Sequence, residues 1–256
     1  MDESSGATQP TPSESGEPQK NFIQRLSGVY FEPSAAFQDI NRKSTWLGMF
    51  LLVSAFVVGS LYVLTTRMDY ETYLRKAMQM SPMTRNLSEE QIQAITSRSQ
   101  SAVQRYSTMV FAPVGVLATY LAIAAVFLVA FIMMGVSIRF KKSLAVTVWG
   151  MGPPALVSSL LGIIVMFIKD PDTLELDASS NLASNLGLLV TAKEKPVLAS
   201  LLSSIDLFSF WTIALLSIGF AAASNRKLSA GQAAGVVVVV WGIWVLGKAG
   251  FAALFS

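Results

Sequence analysis

Five stretches, Trp46 to Thr66, Thr108 to Val136, Ser143 to Ile168, Leu207 to Ser224 and Ala233 to Phe255, run almost without charge, and they constrain the fold more than any other feature. A helix needs about 20 apolar residues to cross the roughly 30 Å hydrocarbon layer of a bilayer. Four of the stretches exceed that length and Leu207 to Ser224 lies near its lower limit. Only 14% of the 256 residues are charged and 52% are hydrophobic, whereas soluble domains carry about 25% charged residues. A water-soluble fold of this composition would expose large apolar patches. Helices satisfy their backbone groups internally, so they can stand in lipid. The expected fold is all-α, a polytopic integral membrane bundle of five transmembrane helices occupying residues 46–256.

The chain has no cysteine and no histidine, which removes disulfides, thiolate nucleophiles, imidazole bases and Cys or His metal sites. Neither a GxSxG elbow, a P-loop, an HExxH pair nor a dinucleotide fingerprint occurs. The paired acids Glu89 and Glu90 fall at a helix start, where the helix dipole accounts for them. No catalytic, cofactor-binding or metal-binding residue is assigned, no cofactor is expected, and the chain is read as not an enzyme. The net charge is only +3, with the bases scattered among connections, so nucleic acid is not an expected partner.

Residues 1–20 are rich in Ser, Pro, Glu and Gly without apolar periodicity, the composition of a disordered polar tail. They lack the basic start and apolar core of a secretory signal. Residues 21–45 read as an amphipathic segment in the headgroup region: Phe22, Leu26 and Tyr30 recur every fourth residue, flanked by Lys20 and Arg25. Pro33 should end a first helix and Ser34 start a second, with Phe37 and Ile40 on one face. The bases Arg42, Lys43, Arg139, Lys141, Lys142, Arg226 and Lys227 share one side if the N-terminus is cytoplasmic. The acid-rich connection 169–206 and the C-terminus are then external, against the contrary weight of six bases in the connection 67–107. Within 67–107, two helices should meet at Ser81 and Pro82, the second opened by a Ser88 to Gln91 capping box, forming an external helical hairpin that packs on itself or docks a partner.

Charged groups inside spans are costly and often functional. Lys248 alone stands well inside one, where its stem can snorkel to the near interface. Asp206 stands at the start of the fourth span and can cap it. Pro153 and Pro154 remove two backbone donors in the third span and imply either a structural kink or a break of the kind that lines transport sites. Gly231 and Gly235 form a small-xxx-small pair continued by Gly242, Gly247 and Gly250, suited to close helix packing within the chain or between copies. Trp241 and Trp244 lie deep in that span and should pack on other helices.

The segment FEPSAAFQDI, with Phe31, Pro33, Phe37 and Ile40 ahead of Trp46, and the segment IDLFSFWTIALLSIGFAAAS, with Asp206, Trp211 and Gly219, resemble the bacterial branch of the Yip family of Ypt/Rab-interacting membrane proteins. So do the SIRFKK connection before a proline-containing third span and the NRK connection before the last. The resemblance implies a five-helix protein of the bacterial cytoplasmic (inner) membrane with a cytoplasmic N-terminal region and no catalytic residues. Eukaryotic relatives are tied to small GTPases and vesicle traffic and associate with one another. This chain lacks their longer cytoplasmic region and Gly-Pro-rich signature, so GTPase binding is not carried over. The expected role is a non-enzymatic scaffold or adaptor, with the lipid bilayer and other membrane proteins as partners and self-association into a homo-oligomer as an option. The alternatives are a transporter or permease subunit using Pro153 and Pro154, and lipid organisation through residues 22–40.

Overall fold

A computed structural model describes residues 19–80, 84, 87–98, 102–176, 181–182, 184–190, 195–225 and 227–254. The expectations placed on the tail up to residue 18 and on Ser81, Pro82, Arg226 and Phe255 lie outside the described residues. Ten α-helices follow one another among the described residues: α1 Phe22–Phe31, α2 Pro33–Arg42, α3 Leu47–Arg67, α4 Tyr70–Met80, α5 Glu89–Arg98, α6 Ala102–Met133, α7 Phe140–Ile168, α8 Pro196–Leu202, α9 Leu207–Ala223 and α10 Ala230–Leu254. Helices α3, α6, α7 and α10 are long and apolar enough to cross a membrane, while α9 has 17 residues, about 26 Å at 1.5 Å per residue. The architecture is an all-α bundle of membrane-spanning helices.

Helix ends follow local chemistry rather than hydropathy. The second apolar stretch runs to Val136, yet α6 stops at Met133. Gly135 takes φ +76° and the Val136 N–H donates to the Phe131 carbonyl at 3.0 Å, closing a left-handed C-terminal cap that leaves both side chains buried. Helix α9 gives way to Asn225, at φ 54°. The capping box at Ser88 and Gln91 is present, with bonds of 3.0 and 3.3 Å, and another at Ser229 and Gln232 starts α10 three residues before the apolar stretch.

Helix α7 lies against α3, α6 and α9, and α9 is held between α7 and α10. Trp149, Phe37, Phe131, Phe220 and Ile40 are the largest fully buried side chains of the core. One close α7–α9 approach uses Gly150, where an added Cβ would stand 2.6 Å from a Leu216 methyl. At the far end of the bundle, Lys76 of α4 donates to the carbonyls of Asp172 and Leu174 at 3.0 and 2.9 Å, and Arg67 donates to those of Phe167 and Lys169. A small second core of Leu64, Met68, Met166 and Leu174 forms beneath them. The connections after α3 and α7 are thereby laced together, with α4 and α5 joined through Arg75, which pairs with both Glu71 and Glu89.

Candidate interaction site

Helices α1 and α2 are built as one V-shaped unit. Asn21 and Gln24 form a capping box that opens α1, with both bonds 2.9 Å. A single residue, Glu32, joins the two helices, and Pro33 is itself the first residue of α2, where its missing N–H costs nothing. The start expected at Ser34 is thus one residue late. The arms cross where Gly28 leaves 3.1 Å between its absent Cβ and that of Ala36, so any larger residue would pry them apart.

The inner face of this unit is docked on the bundle. Arg25, read from the sequence as a flanking base reaching for headgroups, is 4% exposed and bonded through Nε to Asp39 at 2.7 Å. Its remaining donors serve the Asp39 and Lys43 carbonyls and the Thr45 hydroxyl. Asp39 also accepts the Lys20 backbone N–H at 3.3 Å. A buried ion pair recovers its desolvation cost only when the leftover donors and acceptors are satisfied, and this one meets that condition. On the other side of the same linker, the Trp149 indole N–H donates to the Thr45 carbonyl at 2.7 Å, and Phe22 packs on the Trp149 ring at 5.6 Å. The start of α3 is therefore gripped between the N-terminal unit and α7.

Deeper along the bundle, the Tyr30 hydroxyl donates to the Pro153 carbonyl at 3.1 Å and its ring lies 5.6 Å from that of Trp211. Phe37 and Ile40 are fully buried, and Phe37 together with Val146 fills the space an added Gly219 Cβ would need, at 2.9 and 2.6 Å. Thus Phe37, Ile40, Pro153 and Trp211, together with Gly219, meet in one dock, while Pro33 opens α2 half-buried. Phe31 does not join them: it stands at the tip, 84% exposed.

Other sequence expectations need correction. Pro153 and Pro154 are buried within α7, which runs unbroken from Phe140 to Ile168, so a helix break of the transporter kind is not formed. The surrounding turns of α7 and its packed neighbours hold the helix through the two missing donors. Among the described residues, Gly235, Gly242, Gly247 and Gly250 have nothing within 4 Å of an added Cβ, and Gly231 only the Ser229 hydroxyl at 3.9 Å, so the small-residue path of α10 does not serve packing between these described helices. Trp244, expected to pack on other helices, is 69% exposed. Asp206 accepts the Phe208 and Ser209 backbone N–H groups at 2.7 and 3.0 Å and the Ser209 hydroxyl, which caps α9. Lys248 turns its ammonium to the Ser203 hydroxyl at 3.3 Å, beside that cap.

Arg25 and Tyr30 were read from the sequence only as parts of an amphipathic headgroup segment, and Asp39 and Trp149 were not singled out. A signal did exist for the ion pair: one acid and one base stand on the same faces as the apolar positions of two consecutive short helices.

The Yip1 domain model matches residues 27–251, from the second half of α1 through α2 and the apolar helices to Phe251 in α10. The chain is 25% identical over 224 residues to the membrane protein YknW of Bacillus subtilis (strain 168), covering 86% of this chain and 87% of that one. No solved structure matches it significantly. The dock built from α1, α2, α7 and α9 is accordingly part of a shared domain, and the chain belongs to the Yip family as a bacterial-type, multi-pass helical membrane protein.

Proposed function

We propose that the protein is a non-enzymatic membrane scaffold or adaptor that works by packing its helices against partner membrane proteins, with its N-terminus cytoplasmic and its C-terminus external. One observation carries this reading: among the described residues, no other helix of the chain comes within 4 Å of a Cβ added at any of the five glycines along α10. A glycine inside a helix costs about 1 kcal/mol relative to alanine, and what it gives in return within a membrane is close approach by another helix. The polar groups of the spans support the same reading, since they serve the backbone. The hydroxyls of Ser60, Thr65, Thr119, Ser158 and Ser217 donate to carbonyls of their own helices, and Ser143 donates to the Ala124 carbonyl of α6; Ser54 and Thr147 have no such partner.

Photo-crosslinking residues placed at Val239 and Ile243 of α10 test the proposal in native membranes. Protein adducts of discrete, reproducible mass are expected there and not from the buried Phe37 position. Adducts to lipid alone would overturn it, as would turnover or solute flux by the purified protein in liposomes.

A further inference from the structure

Two contacts mark the faces of the hydrocarbon layer on α7. At the near face, Trp149 donates to the Thr45 carbonyl at the start of α3, just after the bases Arg42 and Lys43. At the far face, Arg67 ends α3 and donates to the carbonyls of Phe167 and Lys169, with Asp170 and Asp172 exposed beyond. Trp149 and Ile168 stand about 29 Å apart along the helix axis, which matches a hydrocarbon layer roughly 30 Å thick. Helix α9 does not reach the far face. It runs antiparallel to α7, with Leu216 against Gly150 and Gly219 against Val146. Its first residue, Leu207, is therefore level with Ser158 and Ser159, about 15 Å short of the end of α7. The fourth apolar helix starts near the middle of the layer.

The chain just before α9 stands where that half-crossing is missing. A 3₁₀ turn, Leu186–Leu189, packs on α8, and α8 lies against α10. Lys248, which donates to the Ser203 hydroxyl after α8, is about 9 Å from the end of α10. Outward, the turn, α8 and the start of α9 present Leu186, Leu188, Leu189, Val197, Leu198 and Leu207, all exposed. Their polar groups turn inward: Asn185 accepts the Gly187 N–H, the Ser203 and Ser204 hydroxyls donate to the Ser200 carbonyl, and the Leu186 N–H donates to the Ile205 carbonyl. Among the described residues from 184 to 205, Lys195 is the one exposed charge. An apolar surface of this kind calls for a cover, and it stands in the same half of the layer as the exposed Leu160, Leu161 and Ile164 of α7. We propose that the 3₁₀ turn and α8 form a re-entrant element sunk in the far leaflet, packed against its acyl chains, which completes the crossing that α9 begins at mid-layer. Such backbone is tolerated at that depth because its groups are satisfied within the protein. The adaptor reading rests on α10 and not on this element, so either can fail alone.

The absence of native cysteine makes the test direct. In the full chain reconstituted into vesicles, Leu188→Cys, Leu189→Cys and Leu198→Cys replace exposed side chains, and Asp172→Cys is the aqueous reference in the same connection. A thiol reacts as its thiolate, which needs water, so a membrane-impermeant maleimide should label the three leucine positions at least about a hundredfold more slowly than Asp172→Cys. Labelling within about tenfold of that reference would overturn the proposal. A fluorophore is then attached to Leu188→Cys in detergent, before reconstitution at high dilution in lipid. It should be quenched more by mid-chain nitroxide lipids than by headgroup nitroxide lipids. The reverse order overturns the proposal, and so does protection from both quenchers, the result expected if a second copy or another protein covered the leucines.

Discussion

Helices α1–α2 and helix α10 exchange the roles that their sequences suggest. The N-terminal pair carries charge, amides and a proline, yet it supplies Phe37, Ile40, Val29 and the Arg25–Asp39 pair to the interior. Helix α10 has 25 residues with one charge, yet buries only Ala233, Val237, Val245 and Ala249. In water such an arrangement would be inverted. In lipid, apolar surface gains nothing by being hidden, so interior positions go to side chains that fit closely or bond specifically. The comparison shows that hydropathy locates the spans here, while hydrogen bonding and shape locate the core.

The contrast can be broken most forcefully at the ion pair. Asp39→Ala leaves the Arg25 guanidinium buried without its carboxylate and should cost about 3–5 kcal/mol, read as a large fall in the unfolding midpoint of detergent-solubilised protein. A midpoint unchanged by Asp39→Ala would mean that the α1–α2 dock contributes nothing to stability. A matched pair of glycine substitutions sharpens the same contrast. Gly219→Val meets Val146 and Phe37, both fully buried, and should cost about 1–3 kcal/mol. Gly235→Val meets open space and should stay within about 0.5 kcal/mol in the monomer. Equal losses at the two sites would erase the distinction drawn between the helices.

Smaller effects are expected along the linker and in α7. Trp149→Phe keeps the ring contact with Phe22 but strands the Thr45 carbonyl, a loss of about 1–3 kcal/mol by the same unfolding assay. Pro154→Ala restores a donor to a helix that already runs unbroken through both prolines, so its stability should move by no more than about 1 kcal/mol. A large gain from Pro154→Ala would show instead that the prolines hold α7 under strain.

Much of the architecture was legible because membrane helices follow rules that act within one segment. Span positions come from uncharged length, and the caps at Asp206 and at Ser88 with Gln91 come from side chains bonding backbone a few residues away. The dock was less legible. Phe37 and Ile40 could be placed on one helix face, but their burial depends on Gly219 and Val146, more than a hundred residues distant. Pro153 and Pro154 carried a local signal for interruption that neighbouring turns overrode. The glycines of α10 looked the same as Gly150, Gly152 and Gly219, because a glycine reports that something can come near and not whether anything does.

By itself the sequence determined that the chain is a helical membrane protein of about five spans, since hydrocarbon enforces apolar length and internal backbone bonding on every crossing segment. Only the tertiary structure decided that Arg25 is a buried partner of Asp39, that α1 and α2 belong to the core side of the bundle, and that α10 turns its glycines outward. Those outcomes rest on contacts between distant segments, where close fit and satisfied hydrogen bonds choose among faces that hydropathy leaves equivalent.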